Sequence, residues 1–496
     1  MDTPIDTIII GAGSAGLAAL REVRKRTQSF LIINDGPYGT TCARVGCMPS
    51  KLLIEAANAY HQRHTLAEFG IDGAQALSAD LPAVLRRVRA LRDEFTAGAA
   101  QVTQKLDERS IAGRAKLLGP KQVQVTAPDG STTTYHAKSI ILAPGSAPVL
   151  SPQWQALAAQ SGRILTSDTV FEETTLGPRM AVIGMGAIGI ELAQALARLG
   201  LQVTGYATKE LVGGLSDPAV NAVLRASLQS DFTLHTGPAA TLHATTDGSG
   251  CIEVRSGAHR TIVDQVLVAI GRRPQLAGLG LESLGVPLSD KGMPPVNPQS
   301  MQIADLPVYL AGDALNFRPL LHEVADEGHI AGTNAVANAV ASAVSSAQPQ
   351  CFQRRTPLAI VFSDPNAAVI GQSLRTLQAK EDRAFITGSV NFARQGRARA
   401  GQRNHGRLHV YADPATGLLL GAELCAPAGE HMAHLLALAI TQKMSVGQLL
   451  GMPFYHPVLE EGLRTALRDA ARQLDASAAP APELPPCDAI GAEALD

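Results

Sequence analysis

Two cysteines, Cys42 and Cys47, are separated by four residues and could form a redox-active pair. Structural zinc sites favour Cys-x2-Cys pairs with a second half-site, and no comparable Cys or His cluster follows in this sequence. On a straight helix, positions i and i+5 differ by about 140° around the axis, so their sulfurs would not meet. Gly46 and Pro49 can distort the helix, so the sequence predicts an irregular loop-to-helix entry that brings the two sulfurs together. The pair alone is equally compatible with two unreactive thiols in a buried turn.

Composition excludes several classes of function. The chain has 496 residues, enough for about three domains. Its net charge of −2 gives no electrostatic footprint for nucleic acid or for an anionic membrane. No run approaches the roughly 20 apolar residues of a membrane span, and the first residues lack the pattern of a signal peptide. The other four cysteines are isolated, which fits a reducing compartment, so we expect a cytoplasmic protein. Residues 473–496, which contain Cys487, are rich in Ala and Pro and predict a disordered tail.

A dinucleotide-binding loop follows the first predicted strand, residues 5–10. Gly11, Gly13 and Gly16 have the Gly-x-Gly-x-x-Gly spacing and open a helix. The first glycine makes the turn, the second lets a pyrophosphate approach the backbone, and the third lets the helix pack on the strand. The next strand ends at Asn34 and Asp35, where an acid would accept hydrogen bonds from a ribose. Asp35 is the candidate, although Asn34 can occupy the usual position.

The same pattern recurs in the middle of the chain. Gly184, Gly186 and Gly189 follow an apolar strand and open a second helix, so one chain carries two dinucleotide folds. The second strand of this repeat ends at residue 207 without the acid that selects NAD. Lys209 could meet the 2′-phosphate of NADP or be merely solvated, and Glu210 is a further candidate for a ribose contact.

The segments between and after the two loops predict supporting structure. Residues 81–106 have helical spacing, and their arginines at 86, 87, 89 and 92 are predicted to form a solvated face. Residues 111–142 alternate like a small antiparallel sheet. Asp313 follows a third apolar strand, where it could bind a cofactor hydroxyl or cap a helix.

The C-terminal part begins near residue 357 and reads as an α+β module. Near its end, His456 precedes Pro457, and Glu460 and Glu461 follow at the start of a helix. His456 could be a general base held by a carboxylate, while the acids could simply complement a helix dipole. The residues alone leave both interpretations open.

Together, these motifs resemble the flavin-dependent pyridine nucleotide–disulfide oxidoreductases over about residues 5–472, most closely the dihydrolipoyl dehydrogenases. The resemblance is carried by the two glycine loops, Thr41-Cys42 to Cys47-Met-Pro-Ser-Lys51, residues 269–274, residues 311–313 and residues 456–461. It implies an α/β fold of two Rossmann-like domains and a C-terminal α+β dimerisation domain. The implied boundaries are 1–150 for the FAD domain with the redox disulfide, 151–274 for the NAD(P) domain, 275–350 for a segment completing the FAD site, and 351–472 for the dimerisation domain.

The resemblance also implies residue roles. Cys42 would be the interchange thiol that meets the substrate, and Cys47 would contact the flavin. His456 of the partner subunit, oriented by Glu461, would deprotonate the dithiol. The other implied site residues are Lys51 near the flavin and paired with Glu191, Asp313 on the ribitol chain, and Thr41, Gly145 and Gly271 in the cofactor sites.

The implied activity is oxidation of a dithiol through a disulfide, FAD and NAD(P), by a homodimer without a metal. The predicted substrate is dihydrolipoamide, free or on a lipoyl domain, with NAD⁺ as acceptor. The alternatives are an NAD(P)H-dependent reductase of another disulfide such as glutathione, or a flavin-binding subunit without turnover. The chain departs from the family pattern at Asn34, Thr40, Pro144 and Val458, and these departures leave the identity of the substrate open. Ala207 likewise leaves open the choice between NAD and NADP.

Overall fold

The computed structural model describes residues 4–340, 348–380 and 384–474. It contains two compact units, one formed by Met1–Glu210 and Asp231–Arg355, the other by Leu211–Ser230 and Thr356–Asp496. Residues 211–230, which the sequence analysis assigns to the NAD(P) domain, therefore belong to the second unit. Of the predicted tail, residues 475–496, including Cys487, lie outside the described residues. Within the described part of the chain, no helix is both long and apolar enough to cross a membrane.

The secondary structure follows the chain as alternating strands and helices. The strands are β1 Ile5–Ile10, β2 Phe30–Asn34, β3 Ser110–Ala112, β4 Arg114–Gly119, β5 Gln122–Thr126, β6 Thr132–Leu142, β7 Ser146–Pro148, β8 Ile164–Thr166, β9 Arg179–Ile183, β10 Gln202–Ala207, β11 Thr233–Thr236, β12 Thr241–Ala244, β13 Ile252–Ser256, β14 His259–Val263, β15 Gln265–Val268, β16 Arg272–Pro274, β17 Val308–Leu310, β18 Leu358–Val361, β19 Asn366–Gly371, β20 Ile386–Asn391, β21 Arg407–Ala412 and β22 Leu419–Ala426. The α-helices are α1 Ser14–Val23, α2 Thr41–Arg44, α3 Cys47–His61, α4 Leu81–Gln104, α5 Pro152–Ser161, α6 Ala187–Arg198, α7 Pro218–Asp231, α8 Leu321–Val340, α9 Leu374–Gln378, α10 Gly396–Ala400, α11 Gly429–Thr441, α12 Val446–Leu450 and α13 Glu461–Ala471. Short 3₁₀ turns cover Gln62–His64, Leu66–Phe69, Ala74–Ala76, Asp107–Arg109, Val170–Glu172, Leu281–Leu284, Gly312–Ala314 and Phe392–Arg394.

The first sheet of the larger unit is built around β1. This strand pairs in parallel with β2 on one side and β6 on the other, while β3 and β17 extend the parallel sheet. Ile8, Ile9 and Ile10 are buried, as expected for a strand covered on both faces. The first part of β6 instead joins β5 and β4 in the antiparallel sheet that the alternating sequence predicts.

The second sheet of the same unit repeats the first. Its strand order is β11-β10-β9-β15-β8, and every pairing in it is parallel. Strands β12, β13 and β14 form a separate antiparallel sheet. Each parallel sheet contains a strand, β1 or β9, that leads through a glycine loop into a helix. This arrangement confirms the predicted pair of Rossmann-like folds.

The smaller unit is an antiparallel sheet of order β18-β19-β22-β21-β20 covered by helices. Helix α13 packs directly on β20, since a Cβ added at Gly388 would meet the carbonyl oxygen of Ala466. The unit also contains nearly all of α7, and the backbone N–H of Asp217, the residue before this helix, donates to Glu423 on β22. This architecture confirms the predicted C-terminal α+β domain.

The face of α4 that was predicted to be solvated is partly buried. The arginine at position 92 of α4 was expected to face solvent, but only 6% of its surface is exposed. Its guanidinium donates to Glu172 at 2.5 Å and to Asp93 at 2.8 Å. The expectation is wrong for Arg92 because the partner Glu172 comes from a 3₁₀ turn that lies 80 residues away in sequence.

Helices α1 and α8 pack so closely that glycine is required between them. A Cβ at Gly332 would lie 2.6 Å from the carbonyl oxygen of Ala19. We expect Gly332→Ala to lower the free energy of unfolding by about 1–3 kcal/mol, because the backbones must separate. Gly98→Ala in α4 is the matched control, since an added Cβ there meets no atom within 4 Å, and it should be neutral or stabilise by up to about 1 kcal/mol. Calorimetric melting of both variants tests this, and equal melting temperatures would contradict it.

Candidate active site

The two cysteines lie on either side of a break between two helices. Cys42 belongs to α2 and Cys47 is the first residue of α3, with Val45 and Gly46 between the helices. This is the irregular entry that the spacing predicts. A Cβ added at Gly46 would lie 3.2 Å from the Cα of Cys42, so a side chain there would press on the cysteine backbone. Both cysteines are free thiols in this structure.

The two thiols differ strongly in acidity. The hydrogen bond between them raises the pKa of Cys42, and burial adds to this effect. The same hydrogen bond lowers the pKa of Cys47 to about 6, with a further contribution from the positive charge of Lys51. The first residue of a helix also favours an anion because its N–H groups lack helical partners. Near neutral pH the proton therefore resides on Cys42 and the negative charge on Cys47.

Helix α3 is joined to helix α6 of the second Rossmann fold by two polar contacts. Lys51 Nζ lies 2.7 Å from Glu191 Oε2, and Glu191 is only 6% exposed. This first contact, between Lys51 and Glu191, is the pair that the sequence analysis assigns to the flavin site. Two turns further along both helices, Arg198 Nη1 donates to Asn58 Oδ1 at 2.7 Å. Because both pairs are seven residues apart on their helices, α3 and α6 run side by side in the same direction.

The first glycine loop has the contacts that a dinucleotide cradle requires. Cβ atoms added at Gly11 and Gly16 would collide with the carbonyl oxygens of Ala143 and Gly11, respectively. At Gly13, by contrast, an added Cβ meets no atom within 4 Å. No side chain caps the first turn of α1, so its N–H groups are available to an anion.

Asn34, rather than Asp35, faces this loop. The Oδ1 atom of Asn34 accepts a hydrogen bond from the backbone of Ala12 at 3.0 Å, and its Nδ2 atom donates to the carbonyl of Gly36. Asp35 is exposed. The structure therefore gives Asn34 the position that the sequence analysis left open between the two residues.

Asp313 lies at the carboxyl end of β17, in the turn Gly312–Ala314, and does not cap a helix. Its Oδ2 atom accepts a hydrogen bond from Ser146 Oγ at 2.7 Å. Ser146 in turn accepts from Arg272 Nε at 2.9 Å, and Arg272 forms an ion pair with Asp168 at 2.6 Å. This chain of contacts orients the carboxylate of Asp313. The sequence analysis missed Ser146 and Asp168, because no local pattern marks a hydrogen bond between such distant segments.

Gly145 and Gly271 flank the ribbon that β7 and β16 form. The backbone of Gln275 donates to Gly145 and that of Val149 donates to Gly271, both at 3.0 Å. Both glycines have positive φ, 74° and 118°, where L side chains are strained. Their observed role is to turn the chain into and out of this ribbon.

A buried acid that the sequence analysis also missed supports the turn beneath Asp313. The backbone N–H of Gly312 donates to Glu327 at 2.9 Å, and the other carboxylate oxygen of Glu327 accepts from Arg354 at 2.8 Å. Burial raises the pKa of Glu327, while these two donors oppose the rise. The Glu-Gly dipeptide at residues 327–328 on an apolar helix was the signal available in sequence.

The second glycine loop repeats the contacts of the first. Added Cβ atoms would collide with backbone oxygens at Gly184 and Gly189 and meet nothing within 4 Å at Gly186. Beyond β10, Glu210 accepts a hydrogen bond from Thr236 at 2.8 Å. Lys209 is exposed.

The smaller unit holds the His456–Glu461 pair. The Nδ1 atom of His456 lies 3.1 Å from a carboxylate oxygen of Glu461, and the backbone N–H of Val458 donates to the same carboxylate. The hydrogen bond to His456 holds the pKa of Glu461 below its ordinary value. The imidazole itself is 79% exposed, so its other nitrogen is accessible. A ring held at Nδ1 and exposed at Nε2 suits a group that takes up a proton.

Two known family models match this chain. The model described as "pyridine nucleotide-disulphide oxidoreductase" matches residues 5–341, and the dimerisation domain of the same description matches residues 358–467. The chain belongs to this family. The prediction of a flavoprotein disulfide oxidoreductase that uses FAD and NAD(P) is thereby confirmed. The open backbone at Gly13 and Gly186 and the uncapped helices behind them fit the two dinucleotides.

Several individual proteins are similar to this chain over most of its length. Mitochondrial dihydrolipoyl dehydrogenase of Sus scrofa is 29% identical over 480 residues, covering 94% of this chain and 91% of that protein. The enzyme of the same name in Caenorhabditis elegans is also 29% identical, over 473 residues. Among solved structures, LpdA from Mycobacterium tuberculosis superposes with a TM-score of 0.77 at 25% identity, covering 94% of this chain and 99% of that one. The flavoprotein disulfide reductase RclA from Escherichia coli, at 19% identity and a TM-score of 0.78, shares the fold.

The acidity of Cys47 can be tested with neutral substitutions of the charges around it. Lys51→Met should raise the thiolate pKa of Cys47, because the cation that favours the anion is lost. Glu191→Gln should lower it, because the carboxylate disfavours a second negative charge. Thiolate absorbance near 240 nm, titrated on reduced flavin-free protein, measures both shifts. Glu55→Gln, at an exposed position of the same helix, is the control that should leave the titration unchanged. Shifts of the same sign in the first two variants would contradict the assignment.

Proposed function

We propose that the chain is a homodimeric dihydrolipoyl dehydrogenase that oxidises dihydrolipoamide to lipoamide, with NAD⁺ as the final acceptor. The observation that carries the proposal is the cysteine pair across the break between α2 and α3, in which a hydrogen bond raises the pKa of Cys42 and lowers that of Cys47. Such a pair distinguishes the thiol that exchanges with a substrate from the one that holds charge. The dihydrolipoyl dehydrogenases among its relatives support the choice of substrate.

In the proposed reaction, one thiolate of dihydrolipoamide attacks Cys42 Sγ in the oxidised Cys42–Cys47 pair. The bond between the two cysteines breaks, and Cys47 departs as a thiolate. Its low pKa makes it the better leaving group. The second thiolate of the substrate then attacks the substrate sulfur of the mixed disulfide, which releases lipoamide and leaves Cys42 to take up a proton. Two electrons have then moved from the substrate to the cysteine pair.

The proton balance requires a base, and we assign it to His456. The imidazole accepts the proton from the substrate thiol, while Glu461 holds its Nδ1–H and stabilises the cation. The dimerisation domain supports a homodimer, in which His456 of the partner subunit would serve Cys42. The same base would return a proton to Cys42 after exchange.

The cofactors would be held by the two cradles. Gly13 and the first turn of α1 would receive the FAD pyrophosphate, and Asp313 would accept from its ribitol hydroxyls. Bound FAD supplies two-electron transfer between a dithiol and a nicotinamide. Lys51 and Glu191 would fix α3 so that Cys47 keeps its position and its charge. For the nicotinamide, Glu210 beside the end of β10 favours NAD⁺, since an acid in that region accepts from the ribose hydroxyls.

A second candidate is an NAD(P)H-dependent reductase of another disulfide. It is favoured by Ala207, which ends β10 without an acid, and by the exposed Lys209, which could meet a 2′-phosphate. We place either enzyme in the cytoplasm, because the isolated cysteines fit a reducing compartment.

The first test is a comparison of substrates and nicotinamides with the FAD-loaded protein. We expect dihydrolipoamide with NAD⁺ to give a kcat/KM at least about tenfold above that with NADP⁺, and above that for reduction of glutathione disulfide or a quinone with NADH or NADPH. Cys47→Ser should abolish dithiol oxidation, because no resolving thiol remains. Faster turnover of another disulfide, or undiminished activity of Cys47→Ser, would refute the proposal.

The second test concerns the role of Glu461. Glu461→Gln should lower kcat for dihydrolipoamide by about 10²-fold, since the imidazolium formed during proton transfer loses its counter-charge. Glu460→Gln is the matched control: Glu460 caps the same helix without a side-chain hydrogen bond and should keep kcat within about twofold. Steady-state rates from pH 6 to 9 measure both, and equal losses would contradict the assignment.

A further inference from the structure

Four exposed arginines lie close together in the smaller unit. Arg394 ends a 3₁₀ turn, Arg397 and Arg399 belong to α10, and Arg403 follows in the loop before β21. All four side chains are exposed, and among the described residues none forms an ion pair with a carboxylate. No acidic residue occurs between positions 391 and 407. We call these four residues the arginine surface.

The arginine surface adjoins the His456–Glu461 pair. Within the turn and helix that carry it, Gln395 Nε2 donates to the carbonyl of Val458 at 2.7 Å, two residues beyond His456. Phe392, which is fully buried, packs against the start of α13, where a Cβ at Gly462 would lie 2.6 Å from its ring. The turn and helix that carry the arginines therefore pack directly against the segment that carries His456.

Stability does not explain this concentration of charge. Neighbouring cations repel one another, and unpaired surface arginines gain nothing from folding. The chain as a whole carries a net charge of −2, so the positive charge of this segment is a local feature and not a property of the whole molecule. An isolated patch of one sign attracts partners of the opposite sign and raises their rate of association.

We propose that the arginine surface docks the acidic face of a protein domain that presents the dithiol to the active site. The inference rests on the proposed function, since it identifies the form in which the substrate arrives. Four arginines along ten residues, from Arg394 to Arg403, are spread more widely than one small disulfide can contact. A nucleic acid would match the charge but carries no thiol, whereas the surface adjoins the base that a thiol needs.

The test compares one reaction on two forms of the substrate. The probes are free dihydrolipoamide, which is neutral, and a reduced lipoylated domain with a net negative charge. Arg399→Gln with Arg403→Gln is the test variant. Arg86→Gln with Arg87→Gln, two exposed arginines of α4, is the control with the same change in net charge. The kcat/KM of each is measured from about 20 to 300 mM salt.

We expect the test variant to lose about five- to tenfold in kcat/KM for the lipoylated domain at low salt, and to lose most of its salt dependence. Its kcat/KM for free dihydrolipoamide should stay within twofold, and the control should match the unsubstituted enzyme with both substrates. Neutralising acidic residues of the lipoylated domain should reproduce the loss and add little to it in the test variant, as expected for interacting groups.

Several results would overturn the inference. Equal losses on both substrates would assign the surface to the reaction of any dithiol. A loss confined to glutathione disulfide would assign it to a small anionic disulfide. Binding of a DNA oligonucleotide that depends on Arg399 and Arg403, with unchanged turnover of the lipoylated domain, would assign it to nucleic acid. If free dihydrolipoamide is not oxidised at all, the proposed function fails, and calorimetric titration with the acidic domain then decides the docking separately.

Discussion

The contact between Lys51 and Glu191 fixes the helix that begins at Cys47 against the second Rossmann fold. Glu191 is a buried carboxylate that needs a cation, and Lys51 supplies it from the helix that begins at Cys47. The contact thus joins the redox pair to the helix that opens the second glycine loop. With Asn58 and Arg198 fixing the other end, α3 cannot rotate or slide along α6 without breaking one of two polar contacts.

Charge is divided within the site by geometry rather than by residue type. Cys42 and Cys47 are chemically identical, yet the helix break gives one the proton and the other the N-terminus of α3 and the nearby Lys51. Asp313 is oriented in a comparable way, by a hydroxyl whose own position depends on Arg272. The neighbours of Cys47 are close in sequence, whereas Ser146 and Arg272 are distant in sequence from Asp313.

The glycine loops and the parallel strands could be predicted because their signals are local. Gly11 and Gly184 each donate to the end of the neighbouring strand, at Ile33 and Tyr206, so one sequence pattern describes both. The choice between Asn34 and Asp35 could not be predicted, since only the tertiary fold turns one of them towards Ala12. Arg92 was assigned to solvent because helical spacing cannot reveal a carboxylate 80 residues away. The sequence analysis did not identify the arginine surface, because its position near the His456 segment depends on the hydrogen bond from Gln395 to Val458.

The order of strands in the first sheet also bears on how the protein is made. Strand β17 pairs with β6, and α8 packs on α1, although about 170 to 300 residues separate these partners along the chain. At translation rates of about 5–20 residues per second, the ribosome needs roughly ten to thirty seconds between synthesis of β6 and of β17. During that interval the apolar edge of β6 and one face of α1 lack their final partners. An unpaired strand edge and an uncovered apolar face of this kind favour non-native association of the nascent chain until α8 has been synthesised.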